Sequence, residues 1–438
     1  MSRFQAEPAA RVSGALAVPG DKSISHRALM LAGIAEGLSE VKGFLASEDC
    51  LATLAAMRAL GVKIEQRAAT HVLIHGVGKR GLKPASRELD MGNAGTAMRL
   101  FTGLLCAQRF ESRLVGDSSL MKRPMERVAK PLREMGAQVQ THNGTPPVLT
   151  GGGGALHGIE YRMPMASAQV KSAILLAGLY AEGPTTVIAP AVNRDHSERM
   201  LESCGVDIQV DGLVTRLEPP QKLVGQHIEV PGDFSSAAFF IVAGLLGAGG
   251  EGLLIQNVGL NPTRTGLLDI LRAMGGRIDV LNPRDCGKEP VADLKVHVSA
   301  LKGIAVPPDL VPLAIDEFPV LFVAAACAQG ETLVSGAEEL RVKESDRIAA
   351  MAEGFKALGV AHEVLPDGMR IQGRSQGAAF SGGRVDSCGD HRIAMAFSIA
   401  SLRASGAILI DDVANVATSF PDFVGLGRQV GLALQESP

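Results

Sequence analysis

The sequence predicts an α/β protein of two domains, each assembled from three similar units, and three observations carry that prediction. The chain is 438 residues long, which at roughly 150 residues per domain supports two or three domains with sizeable cores. The tetrapeptide VPGD occurs twice, at Val18 to Asp21 and at Val230 to Asp233. After each copy the same succession begins: a nearly uncharged helix of small residues, a Gly, a β-branched strand, a polar loop, an amphipathic helix, another Gly and a strand. It recurs roughly six times at intervals of ~65–85 residues. A solenoid would also repeat, but only about six long units of mixed helix and strand favour a globular duplication.

The first helix of each unit reads SISHRALMLAGIAEG, TAMRLFTGLLCAQ, SAQVKSAILLAGLYAEG, FSSAAFFIVAGLLGAGG, EFPVLFVAAACAQG and HRIAMAFSIASLRASG. Each is apolar nearly all round, which marks an interior helix. The second helices read EDCLATLAAMRALG, PMERVAKPLREMG, DHSERMLESCG, PTRTGLLDILRAMG, ESDRIAAMAEGFKALG and SFPDFVGLGRQVG. Their apolar residues recur at three and four, as in Leu267, Leu271 and Met274, and they should stop at Gly61, Gly136, Gly205, Gly275, Gly359 and Gly431. Pro124 and Pro262 are placed in first helical turns, where proline is tolerated. Strands such as TTVIAP, GLLIQNV and AILIDDV follow the interior helices. The two VPGD junctions predict an inserted domain over residues 20–231 and a discontinuous one over 1–19 plus 232–438. The short strand at Val12 to Val18 joins the latter.

Composition excludes several classes. Hydrophobic residues make up 46%, charged residues 20%, and the formal net charge is −3, so the chain reads as a folded globular protein. Aromatics are 4% and there is no Trp, which argues against nucleic-acid binding. The six cysteines form no C-x-x-C pair and no metal-ligand spacing with His. No metal is expected, and reduced thiols in the cytoplasm fit best. The opening segment lacks the pattern of a signal peptide. The uncharged run Phe234 to Gly250 is shorter than a membrane span and reads as a buried helix, so no membrane partner is expected.

Polar and cationic residues gather where helices start. GDKSISHR supplies Lys22, Ser23 and Arg27; GNAGTAMR supplies Asn93, Gly95 and Arg99; MKRPM carries Arg123; NRDHSE carries Arg194. IDEF gives Asp316, RVKESDR gives Lys343, Glu344 and Arg347, and CGDHR gives His391 and Arg392. Each piece alone has a plain reading as a loop or a capped helix start. A cation at a helix N-terminus opposes the dipole, so its recurrence there calls for a counter-ion. Lys22, Arg27, Arg123, Arg194, Lys343, Arg347 and Arg392 could neutralise substrates carrying phosphate and carboxylate. If the interior helices lie parallel, their N-termini converge on an interdomain cleft that traps anions. Mutually repelling cations would hold that cleft open until ligands arrive. His26 is open between ligand and satisfied helix-start residue. No Walker loop occurs, which disfavours an NTPase.

Together DKSISHR, GNAGTAMR, GDSSLMKRPM, MASAQVKSA, IDEFP, LRVKESDR, DHRIAMAF and TSFPDF resemble the 5-enolpyruvylshikimate-3-phosphate synthases, a branch of the enolpyruvyltransferase family, over essentially the whole chain. The resemblance implies the enolpyruvyltransferase fold, an inside-out α/β barrel with two domains of three βαβαββ units around buried helices. It implies transfer of the enolpyruvyl group of phosphoenolpyruvate to shikimate 3-phosphate, with no cofactor. By similarity Lys22, Ser23, Arg27, Ser167, Ala168, Gln169, Arg194, Asp316 and Lys343 hold shikimate 3-phosphate. Lys22, Asn93, Gly95, Arg123, Gln169, Arg347, His391 and Arg392 hold phosphoenolpyruvate, and Asp316, Glu344 and Lys22 handle protons. Two departures stand out: Thr418 occupies the region of a Lys found in one branch of the family, and Leu100 stands where many relatives have Pro. Gly95 leaves room for glyphosate, so sensitivity to that competitor is expected, with Leu100 as a second influence. A monomer is expected. The rivals are UDP-N-acetylglucosamine enolpyruvyltransferase, which usually carries a reactive Cys in a mobile loop, and a non-catalytic phosphometabolite-binding relative.

Overall fold

The computed structural model describes residues 2–9, 11–220 and 222–437. The chain divides into two compact units: Met1–Pro19 with Pro231–Asp285 and Pro290–Pro438, and Gly20–Val230 with Cys286–Glu289. The short excursion of Cys286–Glu289 into the second unit leaves no mark in the repeat pattern. Each unit has its own core, one built around Phe240, Phe322 and Phe397, the other around Leu29, Phe101 and Leu175.

Thirteen α-helices are present among the described residues: α1 Lys22–Ile34, α2 Glu48–Ala59, α3 Gly95–Leu105, α4 Glu126–Glu134, α5 Ala168–Gly178, α6 His196–Ser203, α7 Phe234–Gly247, α8 Gly266–Ala273, α9 Val311–Ala314, α10 Phe318–Ala326, α11 Arg347–Ala357, α12 His391–Ala400 and α13 Phe423–Gln429. The six predicted interior helices are α1, α3, α5, α7, α10 and α12, and nearly every residue in them is buried. The amphipathic helices end at their predicted glycines, with φ from +74° at Gly359 to +103° at Gly431, a conformation that a side chain would strain.

The repeat is sharpest in the sheets. Leu89–Asp90 runs parallel to Ser112–Val115, which pairs antiparallel with Thr145–Thr150, itself antiparallel to Val139–His142. The same four-strand order recurs in four other sheets. The sixth keeps three strands, and its missing parallel edge survives as the isolated bridge Ala305 to Leu333. Both sheets next to the VPGD junctions borrow their parallel edge strand from a distant part of the sequence. Val12–Ala17 pairs with Ala248–Gly259, and His227–Glu229 pairs with Glu36–Lys42.

The structure corrects two local readings and adds two elements that the repeat pattern did not include. Arg3–Glu7 forms a strand between Ile408–Asp411 and Ala433–Ser437, tying the two ends of the chain into one sheet. The uncharged run leaves helix at Gly247 and continues as strand, because the glycines after it no longer favour helix. Pro124 and Pro262 precede α4 and α8 rather than opening them. The extra turn α9 precedes α10 in the fifth unit.

Two close approaches position the site. A Cβ on Gly103 of α3 would overlap the Ala173 carbonyl of α5, so these backbones are in direct contact and their first turns lie side by side. A Cβ on Gly354 of α11 would overlap the Phe397 ring of α12, which seats those two helices equally tightly.

Candidate active site

In the Gly20–Val230 unit the predicted residues form a connected set at the starts of α1, α3 and α5. Asp21 caps α1, accepting from the Ile24 amide at 2.8 Å. Lys22 Nζ stands 2.5 Å from Asp49 Oδ2. Arg27 is 5% exposed, and its guanidinium donates to Ser197 Oγ and Ser172 Oγ, each at 2.7 Å, and to the Ser23 carbonyl at 3.0 Å. Burial lowers its pKa to about 10; Glu198 and Asp21 oppose that shift, and Arg194 reinforces it. Arg194 therefore lies within electrostatic reach of Arg27.

On α3 and α5, Arg99 Nη1 donates to Gln169 Oε1 at 2.5 Å, and Gln169 Nε2 donates to Thr96 Oγ1 at 2.8 Å. Arg123 Nη2 donates to Asn93 Oδ1, and Asn93 Nδ2 to Asp117 Oδ2, both at 2.7 Å. Gly95 sits between the two arginines. A Cβ there would lie 3.1 Å from Arg123 Nη1 and 3.2 Å from Arg99 Nη1. Ser167 caps α5, accepting from the Val170 amide at 3.4 Å, with Ala168 beginning the helix. His26 packs in the core with Nδ1 2.7 Å from Thr53 Oγ1, and burial, then Lys22 and Arg27, hold its pKa well below the usual value. It is the satisfied helix-start residue of the two readings. Leu100 is wholly buried among core residues.

In the other unit Arg347, at the start of α11 and 1% exposed, organises a second set. Its guanidinium reaches Asp390 Oδ2 at 2.8 Å, Glu344 Oε2 at 2.5 Å and Asp316 Oδ1 at 3.4 Å. Burial works against its charge, but Asp390, Glu344 and Asp316 together raise its pKa above the ordinary value. Lys343 Nζ lies 3.4 Å from Asp316 Oδ1 and 3.2 Å from Glu339 Oε1. Arg392 Nη1 donates to the Asp316 carbonyl at 2.9 Å and stands 3.8 Å from Glu317. His391 is buried in the first turn of α12, whose cap Asp390 accepts from the Arg392 amide at 2.9 Å. Thr418 is buried and donates to the Asn415 carbonyl at 2.7 Å, a local turn bond.

The counter-ions called for by cations at helix starts are in part the protein's own. Asp49 meets Lys22, three carboxylates meet Arg347, and Glu198 lies near Arg27. Asp316 and Glu344 were among the residues the sequence singled out, but Asp49, Asp390 and Glu198 do not stand out, because each looks like an ordinary cap or helix acid. The one signal was a polar residue inside an otherwise apolar helix, as with Ser172. Among the described residues no group of His, Cys, Asp and Glu is arranged to hold a metal ion, and no helix is long and apolar enough to cross a membrane.

Residues 6–426 match the family described as EPSP synthase (3-phosphoshikimate 1-carboxyvinyltransferase). The chain belongs to the EPSP synthase family. A 3-phosphoshikimate 1-carboxyvinyltransferase of Methylococcus capsulatus is 56% identical over 435 residues, covering 99% of this chain and 98% of that protein. The EPSP synthase structure from Acinetobacter baumannii superposes with a TM-score of 0.90 at 52% identity, over all of both chains. The enolpyruvyl transferase NikO of Streptomyces tendae shares 19% identity and a TM-score of 0.79, covering 100% of this chain and 99% of that one, a likeness of fold alone. Membership in the EPSP synthase family accords with the α/β fold.

Proposed function

We propose that the chain transfers the enolpyruvyl group of phosphoenolpyruvate to the 5-hydroxyl of shikimate 3-phosphate, releasing phosphate, in the pathway to aromatic amino acids. Beyond family membership, the observation that carries this reading is the placement of two partly exposed carboxylates, Asp316 and Glu344, on the buried Arg347 guanidinium. A protein that only bound anions could hold Arg347 with the buried Asp390 alone, and two further, partly exposed acids on the same guanidinium would weaken its hold on an anion. The 5-hydroxyl loses its proton to Asp316 as its oxygen attacks C2, while C3 takes a proton from Glu344 or Lys22 and becomes a methyl. A methyl proton then returns to the acid/base group as the C2–O bond to phosphate breaks and the enol ether forms. Each such group contributes about 10²–10⁴ in rate.

Lys22, Ser23, Arg27, Ser167, Ala168, Gln169, Arg194, Asp316 and Lys343 bind shikimate 3-phosphate in this reading. Lys22, Asn93, Gly95, Arg123, Gln169, Arg347, His391 and Arg392 bind phosphoenolpyruvate, and glyphosate competes there. The chain works as a monomer without a cofactor. Among the described residues no disulfide joins its six cysteines, in keeping with a reducing compartment such as the cytoplasm. Phosphate release from shikimate 3-phosphate plus phosphoenolpyruvate tests the reading; none, or release only with UDP-N-acetylglucosamine as acceptor, refutes it.

A further inference from the structure

Below the acceptor residues of the Gly20–Val230 unit lies an ion pair that the proposed reaction does not use. Lys171 interrupts the apolar run of α5 and pairs with Glu198 of α6, with side chains only 7% and 4% exposed. Among the described residues no hydroxyl or backbone amide donates to the Glu198 carboxylate. Its burial is offset by charge alone, from Lys171 in contact and from Arg27 beyond it.

Two features make this pair a poor device for stability. An apolar pair of similar volume would hold α5 and α6 together as well or better, since desolvating both ions offsets most of their attraction. A carboxylate beside residues that take an anion also weakens that site electrostatically. What the pair does supply is register. Ser172 and Ser197 follow and precede its members directly in sequence, and Ser197 Oγ donates to Ser172 Oγ at 2.7 Å while both accept from Arg27. The same turn of α6 is braced by His196 Nδ1, 2.7 Å from Glu289 Oε1, where both side chains are buried.

We propose that Lys171 and Glu198 are positioning residues: their ion pair locks the first turn of α6, with Arg194 just before it, against α5 so that Arg27, Ser197 and Arg194 present one preset cradle to the phosphate of the acceptor. The inference rests on the reading that this cluster takes shikimate 3-phosphate. Glu198→Gln gives a test by sign, because removing a negative charge near an anion site strengthens binding if charge alone matters.

Titration calorimetry of shikimate 3-phosphate on the full chain compares the wild type, Glu198→Gln, Lys171→Met and the double variant, which removes both members of the pair and so strands neither Lys171 nor Glu198 as a lone buried charge. Each variant should bind about tenfold more weakly, the double no worse than about either single, because one shared interaction is lost. The KM for phosphoenolpyruvate should stay within about twofold, a separation that general loosening would not give. Unchanged or tighter binding by Glu198→Gln, or a folded double variant with wild-type affinity, overturns the inference. A wild-type chain that binds no shikimate 3-phosphate overturns the underlying reading instead.

Discussion

Gly95→Ala is the smallest change that reaches the proposed phosphoenolpyruvate site, and its effect can be worked from the geometry. The new methyl would lie 3.1 Å from Arg123 Nη1 and 3.2 Å from Arg99 Nη1, with Leu120 Cδ1 at 3.6 Å. Ordinary contact needs about 3.5 Å or more, so both guanidiniums must retreat by a few tenths of an ångström. They are not free to do so: Arg99 and Arg123 are 5% and 8% exposed, one donating to Gln169 and the other to Asn93. Loosening one hydrogen bond of a charged group costs about 1.5 kcal/mol, roughly a tenfold loss of affinity. Initial rates of phosphate release, with each substrate varied in turn, should show the KM for phosphoenolpyruvate rising about tenfold, while that for shikimate 3-phosphate moves less than about twofold. Glyphosate should lose at least as much, having the same space to fill. An unchanged KM for phosphoenolpyruvate, an equal rise in both constants, or undiminished glyphosate binding would refute the reasoning.

Arg347→Ala leaves Asp390 buried without its cation and should cost about 3–5 kcal/mol of stability, read from denaturant unfolding; a shift below about 1 kcal/mol would show the cluster to be dispensable to the fold. Glu344→Gln should lower kcat about 10²–10⁴-fold with little change in either KM, and near-wild-type turnover would remove it from proton transfer. The Asp411 carboxyl is held below its usual pKa by hydrogen bonding to Arg384, against a smaller effect of burial, and further by Arg3. A depressed carboxylate adds stability above its unfolded pKa near 3.9 and loses it as pH falls through the folded value. The advantage of wild type over Asp411→Asn should therefore be steady above about pH 5 and fade in acid, as unfolding at pH 7 and pH 3 would show. Cys388 is exposed, yet burial of its thiol, then Asp386, Asp390 and Asp412, push its pKa up. Its reaction with a thiol reagent should be slow at neutral pH and accelerate in alkali, and rapid labelling at pH 7 would contradict this.

The architecture was legible where one local property decides an element. A helix of 10 to 14 residues that is uncharged, or whose charges are confined to its first two turns, has no polar face to offer water, so α1, α7 and α12 could be placed inside from composition alone. A glycine after an amphipathic run predicts a positive φ without knowledge of the fold. Arg3–Glu7 was not legible, because its partners lie some 400 residues away and five alternating residues carry little signal by themselves. The site divides in the same way. Cations at helix starts announce themselves by opposing the dipole. Their partners hide, since an acid at a cap is what any helix start prefers. Asp390 is the clearest case: it caps α12 and also holds Arg347 from 43 residues away. Only the contact between α11 and α12 shows the second role.

That pairing changes how an acidic chain can receive two anions. The sequence suggests bare cations that repel one another, whereas in the structure Lys22, Lys343 and Arg347 meet carboxylates of the chain itself. Around Arg347 and Lys343 the carboxylates Asp316, Glu339, Glu344 and Asp390 outnumber the guanidinium and the ammonium they meet. On the proposed reading, a phosphate or carboxylate brought to Arg347 must compete with Glu344 and Asp316 for the same donors. The competition eases when a carboxylate takes up a proton, because an approaching anion favours the neutral acid. On that reading Glu344, one of the two groups assigned to the C3 proton, yields its place on Arg347 as the anion arrives. Asp390 cannot follow, being fully buried and capped into α12. It keeps the guanidinium in place while the other two exchange partners.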